Sequence, residues 1–262
     1  MAETSLETLF QYPEALRAGK LVKRYKRFLM DVKLPDDTVE TVHCANSGSM
    51  KSCLEDNADV FTLDSHNPKR KLQHSLEIMG LSDGLACLNT ARANKVVESF
   101  LNAVIADISA LNDIQSSPDF SKFIEKYTSV KAESTFKKGT RFDFQAMADD
   151  ANAWIEVKSV SLREDFGVSF PDAVTTRGQK HLEHLMEAVD TGSEAALFFV
   201  VMRGQNEDVQ TLCRGFQPAA HIDARYAELL QQALDKGVKV FVLAANITLE
   251  GIGIRGVFPY NG

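Results

Sequence analysis

The chain runs Arg141-Phe142-Asp143-Phe144, turns through Met147-Ala148-Asp149-Asp150-Ala151-Asn152, and returns as Trp154-Ile155-Glu156-Val157-Lys158-Ser159-Val160. Both arms are apolar enough to be strands of a sheet, and each carries an acid inside the apolar run. On an extended strand Trp154, Glu156, Lys158 and Val160 share one face. A Glu and a Lys two apart in such a strand are unfavourable unless each has a partner or a task. Pairing across the turn lays Asp143 beside Glu156. Glu133, ten residues before Asp143, is a possible third carboxylate.

Converging carboxylates with a nearby lysine suit phosphodiester chemistry. Hard oxygen ligands hold Mg²⁺ (or Mn²⁺), and the expected metal set is Glu133, Asp143 and Glu156. Such an ion stabilises the charge that builds on a phosphodiester's oxygens, and a lysine can orient the attacking water. An Asp, a short gap and Glu-x-Lys form the PD-(D/E)xK nuclease signature, with Asp143, Glu156 and Lys158 as the catalytic residues. A buried Glu156–Lys158 or Asp143–Lys158 ion pair with a structural role alone is the competing reading. Downstream, in Phe170-Pro171-Asp172-Ala173-Val174-Thr175-Thr176-Arg177-Gly178-Gln179-Lys180-His181, Thr175 or Thr176 can cap a helix. Its first turn carries Arg177, Gln179, Lys180 and His181, and cations with an amide donor at a helix N-terminus make a phosphate site. His181 and His184 read as surface or satisfied core residues. Zinc-protease, P-loop and dinucleotide motifs are absent from the sequence.

Around this stretch strands and helices alternate. Helices are expected at 120–127, 176–188 and 224–234, and buried strands at 195–202 and 238–244, with an edge strand within 248–259. That pattern gives a sheet with helices on both faces. Upstream, Val96, Val97, Phe100, Leu101, Val104, Ile105 and Ile108 follow helical spacing over 91–111. Before that helix the chain reads as all-β. Residues 21–34 alternate, with Val22, Phe28, Met30 and Val32 on one parity. Pro35-Asp36-Asp37-Thr38 is a turn, and short strands follow at 39–44, 59–63, 71–79 and 85–89. Five short strands suggest a small closed barrel of the OB kind; an ordinary half-buried sheet is the alternative. The class is α+β or α/β, divided into a barrel over 1–90 and an αβ domain over 91–262.

At 262 residues, 44% hydrophobic and 25% charged, the chain has a globular composition. No apolar run approaches the ~20 residues that cross a bilayer. The acidic Met1–Glu7 lacks the layout of a signal peptide, and Cys44, Cys53, Cys87 and Cys213 form no metal or disulfide pattern. A reduced, cytoplasmic protein is expected. Net charge is −7, yet Arg17–Arg27 holds six cations in eleven residues without an acid, and His66–His74 is also free of acids. These clusters point to a polyanion, with Lys23, Arg24, Lys26, Arg27, Lys69, Arg70 and Lys71 as contacts to DNA phosphates. Tyr25 offers a stacking surface; Trp154 reads as core.

The sequence resembles the sugar fermentation stimulation protein A family of prokaryotes over nearly its whole length. The resemblance rests on Leu21-Val22-Lys23-Arg24-Tyr25-Lys26-Arg27-Phe28-Leu29, Cys44-Ala45-Asn46-Ser47-Gly48-Ser49-Met50, Asn67-Pro68-Lys69-Arg70-Lys71 and Asn89-Thr90-Ala91-Arg92-Ala93-Asn94. It continues through the two arms at 141–144 and 155–160 and the segment 170–182. Where this chain has Ser47 and Ser49, the family more often has Thr and Ala. The resemblance implies an OB-like domain followed by a PD-(D/E)xK nuclease-like domain, DNA binding, and a link to sugar, notably maltose, utilisation. Three readings follow: a DNA-binding Mg²⁺-dependent phosphodiesterase, a non-catalytic DNA-binding regulator, and a sugar-responsive metabolic protein. Without a helix-turn-helix or a finger, backbone contacts are expected to dominate over base readout.

Overall fold

The alternating stretch after Arg17 folds as two strands. In the computed structural model, which describes residues 6–204 and 206–262, a short β1 (Phe10–Gln11) precedes β2 (Arg17–Tyr25) and β3 (Leu29–Lys33). Lys26 and Arg27 take left-handed backbone angles, φ 47° and 65°, and reverse the chain between them. This reversal breaks the expected parity. Met30 and Val32 are buried, whereas Val22 and Phe28 are exposed, Val22 at a register slip between Leu21 and Lys23.

The barrel continues with β4 (Val39–His43), β5 (Asp59–Asp64), β6 (His74–Leu81) and β7 (Gly84–Cys87). The sheet order is β4-β3-β2-β5-β6-β7, and β4 returns to pair with β6. Strands β2 to β6 therefore close into a five-stranded OB barrel around Met30, Val42, Val60, Leu76 and their neighbours.

The αβ domain then builds α1 (Ala91–Ala106), β8 (Gln115–Ser116), α2 (Pro118–Ile124), β9 (Ser129–Lys137), β10 (Thr140–Met147) and β11 (Asn152–Val160). It adds β12 (Leu162–Glu164), β13 (Gly167–Phe170), α3 (Thr176–Asp190), β14 (Glu194–Val201), α4 (Val209–Arg214) and β15 (Gln217–Pro218). It ends with α5 (Ala224–Asp235), β16 (Lys239–Ile247) and β17 (Gly251–Pro259). Helix α1 stops before the expected Leu111 because Asp107 turns extended and caps a following 3-10 turn through Ser109. The main sheet runs β1-β17-β16-β14-β11-β10-β9, with β11, β14 and β16 parallel. Covered on both faces, β14 is apolar along almost its whole length. Val96, Phe100 and Phe120 of α1 and α2 pack on one face with Ile155, Phe198 and Leu243. Leu182, Leu185, Leu229 and Leu230 of α3 and α5 pack on the other with Phe199 and Val242.

Two expectations need correction. Strand β17 is not an edge, since β1 pairs along it, Phe10 opposite Ile252. Leu6 and Tyr12 are likewise buried in the core of the αβ domain. The apolar side chains at 6–12 thus belong to the second domain, and the barrel itself begins at Arg17; residues 1–5 of the expected first domain lie outside the described residues. Two guanidinium groups, that of Arg203 buried and that of Arg92 half-buried, join the domains. Arg203 donates to Asp83 (2.9 and 3.0 Å) and to the carbonyls of Ser52 and Ser161. Arg92 grips buried Glu77 with two bonds (2.7 and 2.8 Å), the geometry that makes arginine–carboxylate pairs specific. All four cysteines are buried and free. Among the described residues no helix is long and apolar enough to cross a membrane.

Candidate active site between the domains

Strands β10 and β11 pair from Met147–Asn152 up to Phe144–Ile155; the next pair outward would be Asp143 with Glu156. There the ladder stops. Phe142 packs in the opposite core from Phe144, and Asp143 uses its Oδ2 to accept the backbone N–H of Val157 (2.8 Å). Its Oδ1 accepts from Asn94 of α1 (2.7 Å). Burial, and then the charge of Glu156, raise the Asp143 carboxyl above its ordinary pKa. Two carboxylates in one poorly solvated place repel, and one is pushed toward its protonated form.

Glu156 is the better stabilised anion. Burial opposes its charge, yet Lys158 and His181 outweigh burial and hold its pKa below the ordinary value. Lys158 donates to Oε1 (2.5 Å), and His181 Nδ1 meets the same oxygen. Arg177 Nε approaches His181 Nε2 at 3.3 Å, and the Lys158 ammonium lies 3.2 Å from His181 Nδ1, so Lys158, His181 and Glu156 Oε1 make one three-way contact. The second oxygen of Glu156, Oε2, is buried and has no hydrogen-bond partner among the described residues.

Helix α3 brings Arg177 and His181. Thr175 caps it, accepting from the N–H of Gly178 (3.1 Å). Arg177, Lys180, His181 and His184 recur at helical spacing on one face and line the site. Gln179 falls off that face, and its amide donates to Asp223 (2.9 and 3.1 Å) instead. A cavity of about 610 Å³ lies between the domains, lined by Asp143, Glu156, Lys158, Arg177 and His181 from below and by Arg27 and Asn46–Gly48 of the barrel from above.

The structure thus gathers Asp143, Glu156, Lys158, Arg177 and Lys180 as the sequence predicts. Glu133 stands opposite Asp143, between the pairs Phe142–Ser134 and Phe144–Ala132. It is 64% exposed and paired with Arg141 (3.2 Å), so it sits at the rim, and the predicted three-carboxylate cluster reduces to two. Among the described residues no three His, Cys, Asp or Glu side chains form a metal cage. Asp143 and Glu156 remain as residues that could hold a divalent cation. Two carboxylates suit a partly hydrated Mg²⁺, and the bare Glu156 Oε2 and the proton-attracting Asp143 are what a cation would satisfy.

Of the predicted DNA contacts, Lys23, Lys26, Arg27, Lys69 and Lys71 are exposed. Arg24 is not a free cation. It donates to the carbonyls of Arg27, Asn46, Gly48 and Ser49 at 2.7–2.9 Å and holds the loop above the site. Arg70 is half-buried and donates to Ser75 (3.1 Å). The second basic cluster is offset in space by acids distant in sequence: Glu14 beside His66 and Glu40 beside His74. Tyr25 is tied through its hydroxyl to Asp31 (3.0 Å); Trp154 is core. His181 and Asn94 carry no signal of their own in the sequence; the helical spacing of His181 from Arg177 was the available clue.

The family described as "Sugar fermentation stimulation protein RE domain" matches residues 91–251, and the "SfsA N-terminal OB domain" matches 22–88. A "Sugar fermentation stimulation protein homolog" of Desulfotalea psychrophila is 37% identical, over 93% of this chain and 94% of its own length. Those of Marinomonas sp. and Geobacter sulfurreducens are 39% and 38% identical over 95% and 94% of this chain, covering 89% and 97% of their own lengths. The structure of Pyrococcus furiosus SfsA in complex with Ca²⁺ has the same fold, with a TM-score of 0.75 at 21% identity over 96% of this chain and 97% of that one. With both domains matched in order and relatives more than a third identical along almost the whole length, this chain belongs to the sugar fermentation stimulation protein family.

Proposed function

We propose that this protein binds DNA, mainly through its backbone, and hydrolyses phosphodiester bonds at a Mg²⁺- or Mn²⁺-dependent site built on Asp143, Glu156 and Lys158. The observation that carries the reading is the meeting of half-buried Asp143 and buried Glu156 at one cavity, the first with a raised pKa and the second with an oxygen that has no hydrogen-bond partner among the described residues. The relative from Pyrococcus furiosus was solved with Ca²⁺, an ion with the same preference for oxygen ligands. When bound by Asp143 and Glu156, the divalent cation would supply charge stabilisation at the phosphate oxygens. Lys158 holds its ammonium beside Glu156, where it can orient a water for attack. His181 holds the Glu156 carboxylate at Nδ1, Asn94 fixes Asp143, and Arg177 and Lys180 present positive charge to the phosphate.

One observation favours the non-catalytic regulator, including a role in sugar (maltose) metabolism. Lys158 and His181 already satisfy Glu156 Oε1, as a purely structural network would. Incubating purified protein with labelled single-stranded and duplex DNA in Mg²⁺, Mn²⁺ or EDTA separates the two. Metal-dependent cleavage lost in Lys158→Ala supports the phosphodiesterase; tight binding in EDTA with no cleavage under either metal overturns it in favour of the regulator.

A further inference from the structure

Phe28 stands out on the barrel. It is 43% exposed, stacks in parallel with His43 (centroids 6.5 Å apart, 21° between planes), and has the Arg27 guanidinium 6.0 Å from its ring centre. Aromatic rings interleaved with cations are how barrels of this kind hold unpaired bases, because every base has a face to stack. Arg27 also lines the interdomain cavity and is anchored there through Nε to the carbonyl of Ser47 (2.8 Å). The aromatic platform and the carboxylate site therefore share a border.

Contacts between the domains border that cavity. The Met50 N–H donates to Asp172 across the domains (3.2 Å), and Gly48 lies so close that a Cβ there would sit 2.0 Å from Asp172 Oδ2. The buried Arg203–Asp83 pair ties the domains together elsewhere. At about 610 Å³ the space falls in the range of roughly 300–1,000 Å³ that encloses one small ligand. A second cavity of about 350 Å³ continues beyond Asp143 and His181, past Arg177 and Lys180. The two spaces share Asp143, Arg177 and His181 as lining.

Resting on the reading that the site acts on DNA, we propose that the substrate is single-stranded DNA. It lays a base on Phe28, passes Arg27 into the cleft, crosses Asp143 and Glu156, and leaves past Arg177 and Lys180. A duplex, with its bases paired and stacked, has no free base to offer the ring.

The test is fluorescence anisotropy in EDTA, so that binding is read without cleavage, using a labelled 20-mer and the same 20-mer in a blunt duplex. The single strand should bind at least about tenfold more tightly. Phe28→Ala should weaken single-strand binding about tenfold, in keeping with the loss of one stacked base, leave duplex binding unchanged, and be rescued by Phe28→Trp. Unfolding temperatures of both variants check that the barrel is intact. Equal or tighter duplex binding, or a Phe28→Ala defect of the same size on both ligands, overturns the proposal. Because no metal is present, failure of cleavage would strike the phosphodiesterase reading and leave this one standing. Cleavage of duplex alone would do the reverse.

Discussion

Asp143 accepts the backbone N–H of Val157 (2.8 Å) and so ends the β10–β11 ladder with its own side chain. A sheet bond that a carbonyl would have made is made by a carboxylate. The two strands part at the level of Glu156, and both acids are left beside the interdomain cavity. The acid has a mechanical task in the sheet.

Manganese affinity, measured calorimetrically, should be lost in Asp143→Ala and Glu156→Ala and nearly unchanged in Glu133→Gln, whose carboxylate is exposed and engaged by Arg141. In the wild type it should strengthen as pH rises from the ordinary Asp value of 3.8 through the raised value of Asp143, since proton and metal compete for the same oxygens. Affinity independent of pH across that interval, or dependent on Glu133, refutes the two-carboxylate site.

Lys158→Ala should lower turnover by ~10²–10⁴, the range for loss of a positioned proton-transfer group. DNA affinity in EDTA should hardly change, because one ammonium tied to Glu156 contributes little to a wide basic surface. A parallel fall in binding and turnover would make Lys158 a phosphate contact instead.

Glu156→Gln leaves the half-buried ammonium of Lys158 without its counter-charge and should destabilise the fold at neutral pH by about 3 kcal/mol. Glu156 has a folded-state pKa below the unfolded one. Its contribution is therefore present above the unfolded value near 4.5 and lost as pH falls through the folded value. Denaturant unfolding should show the gap between wild type and variant narrowing as the buffer drops below pH ~4.5. A gap that widens with acid contradicts the assignment.

Arg24→Ala and removal of the exposed cations should behave differently. Arg24 satisfies four carbonyls, and its loss should cost about 2 kcal/mol of stability. Neutralising Lys26, Lys69 and Lys71 should leave stability alone. It should reduce the slope of log affinity against log salt by roughly 0.9 for each phosphate contact removed. Salt titrations with unfolding controls separate the two classes.

The sheet, its crossing helices and the Asp143–Glu156–Lys158 group were legible in the sequence because alternation and helical spacing mark them, and because a charge inside an apolar strand calls for a partner. Arg24 was misjudged since a basic run does not reveal which cation turns inward to carbonyls. Phe28 looked buried because parity counting cannot see a turn in which Lys26 and Arg27 adopt left-handed angles. From sequence His181 stands one turn after Arg177 and reads as a surface or core histidine; its contact with Glu156, on another element, is a meeting only the tertiary fold creates.

The pairing of β1 with β17 sets an order of assembly. During synthesis residues 6–12 emerge ahead of the barrel, but Ile252, the partner of Phe10, is made about 240 residues later. The barrel can close while Leu6, Phe10 and Tyr12 are still waiting, their apolar side chains unclaimed. A fragment starting at Ala91 would carry Asp143, Glu156 and Lys158 yet expose the length of β17 that β1 covers, inviting edge-to-edge association. The αβ domain is contiguous in space but not in the gene, and a stable excised version needs residues 6–12 grafted back beside its last strand.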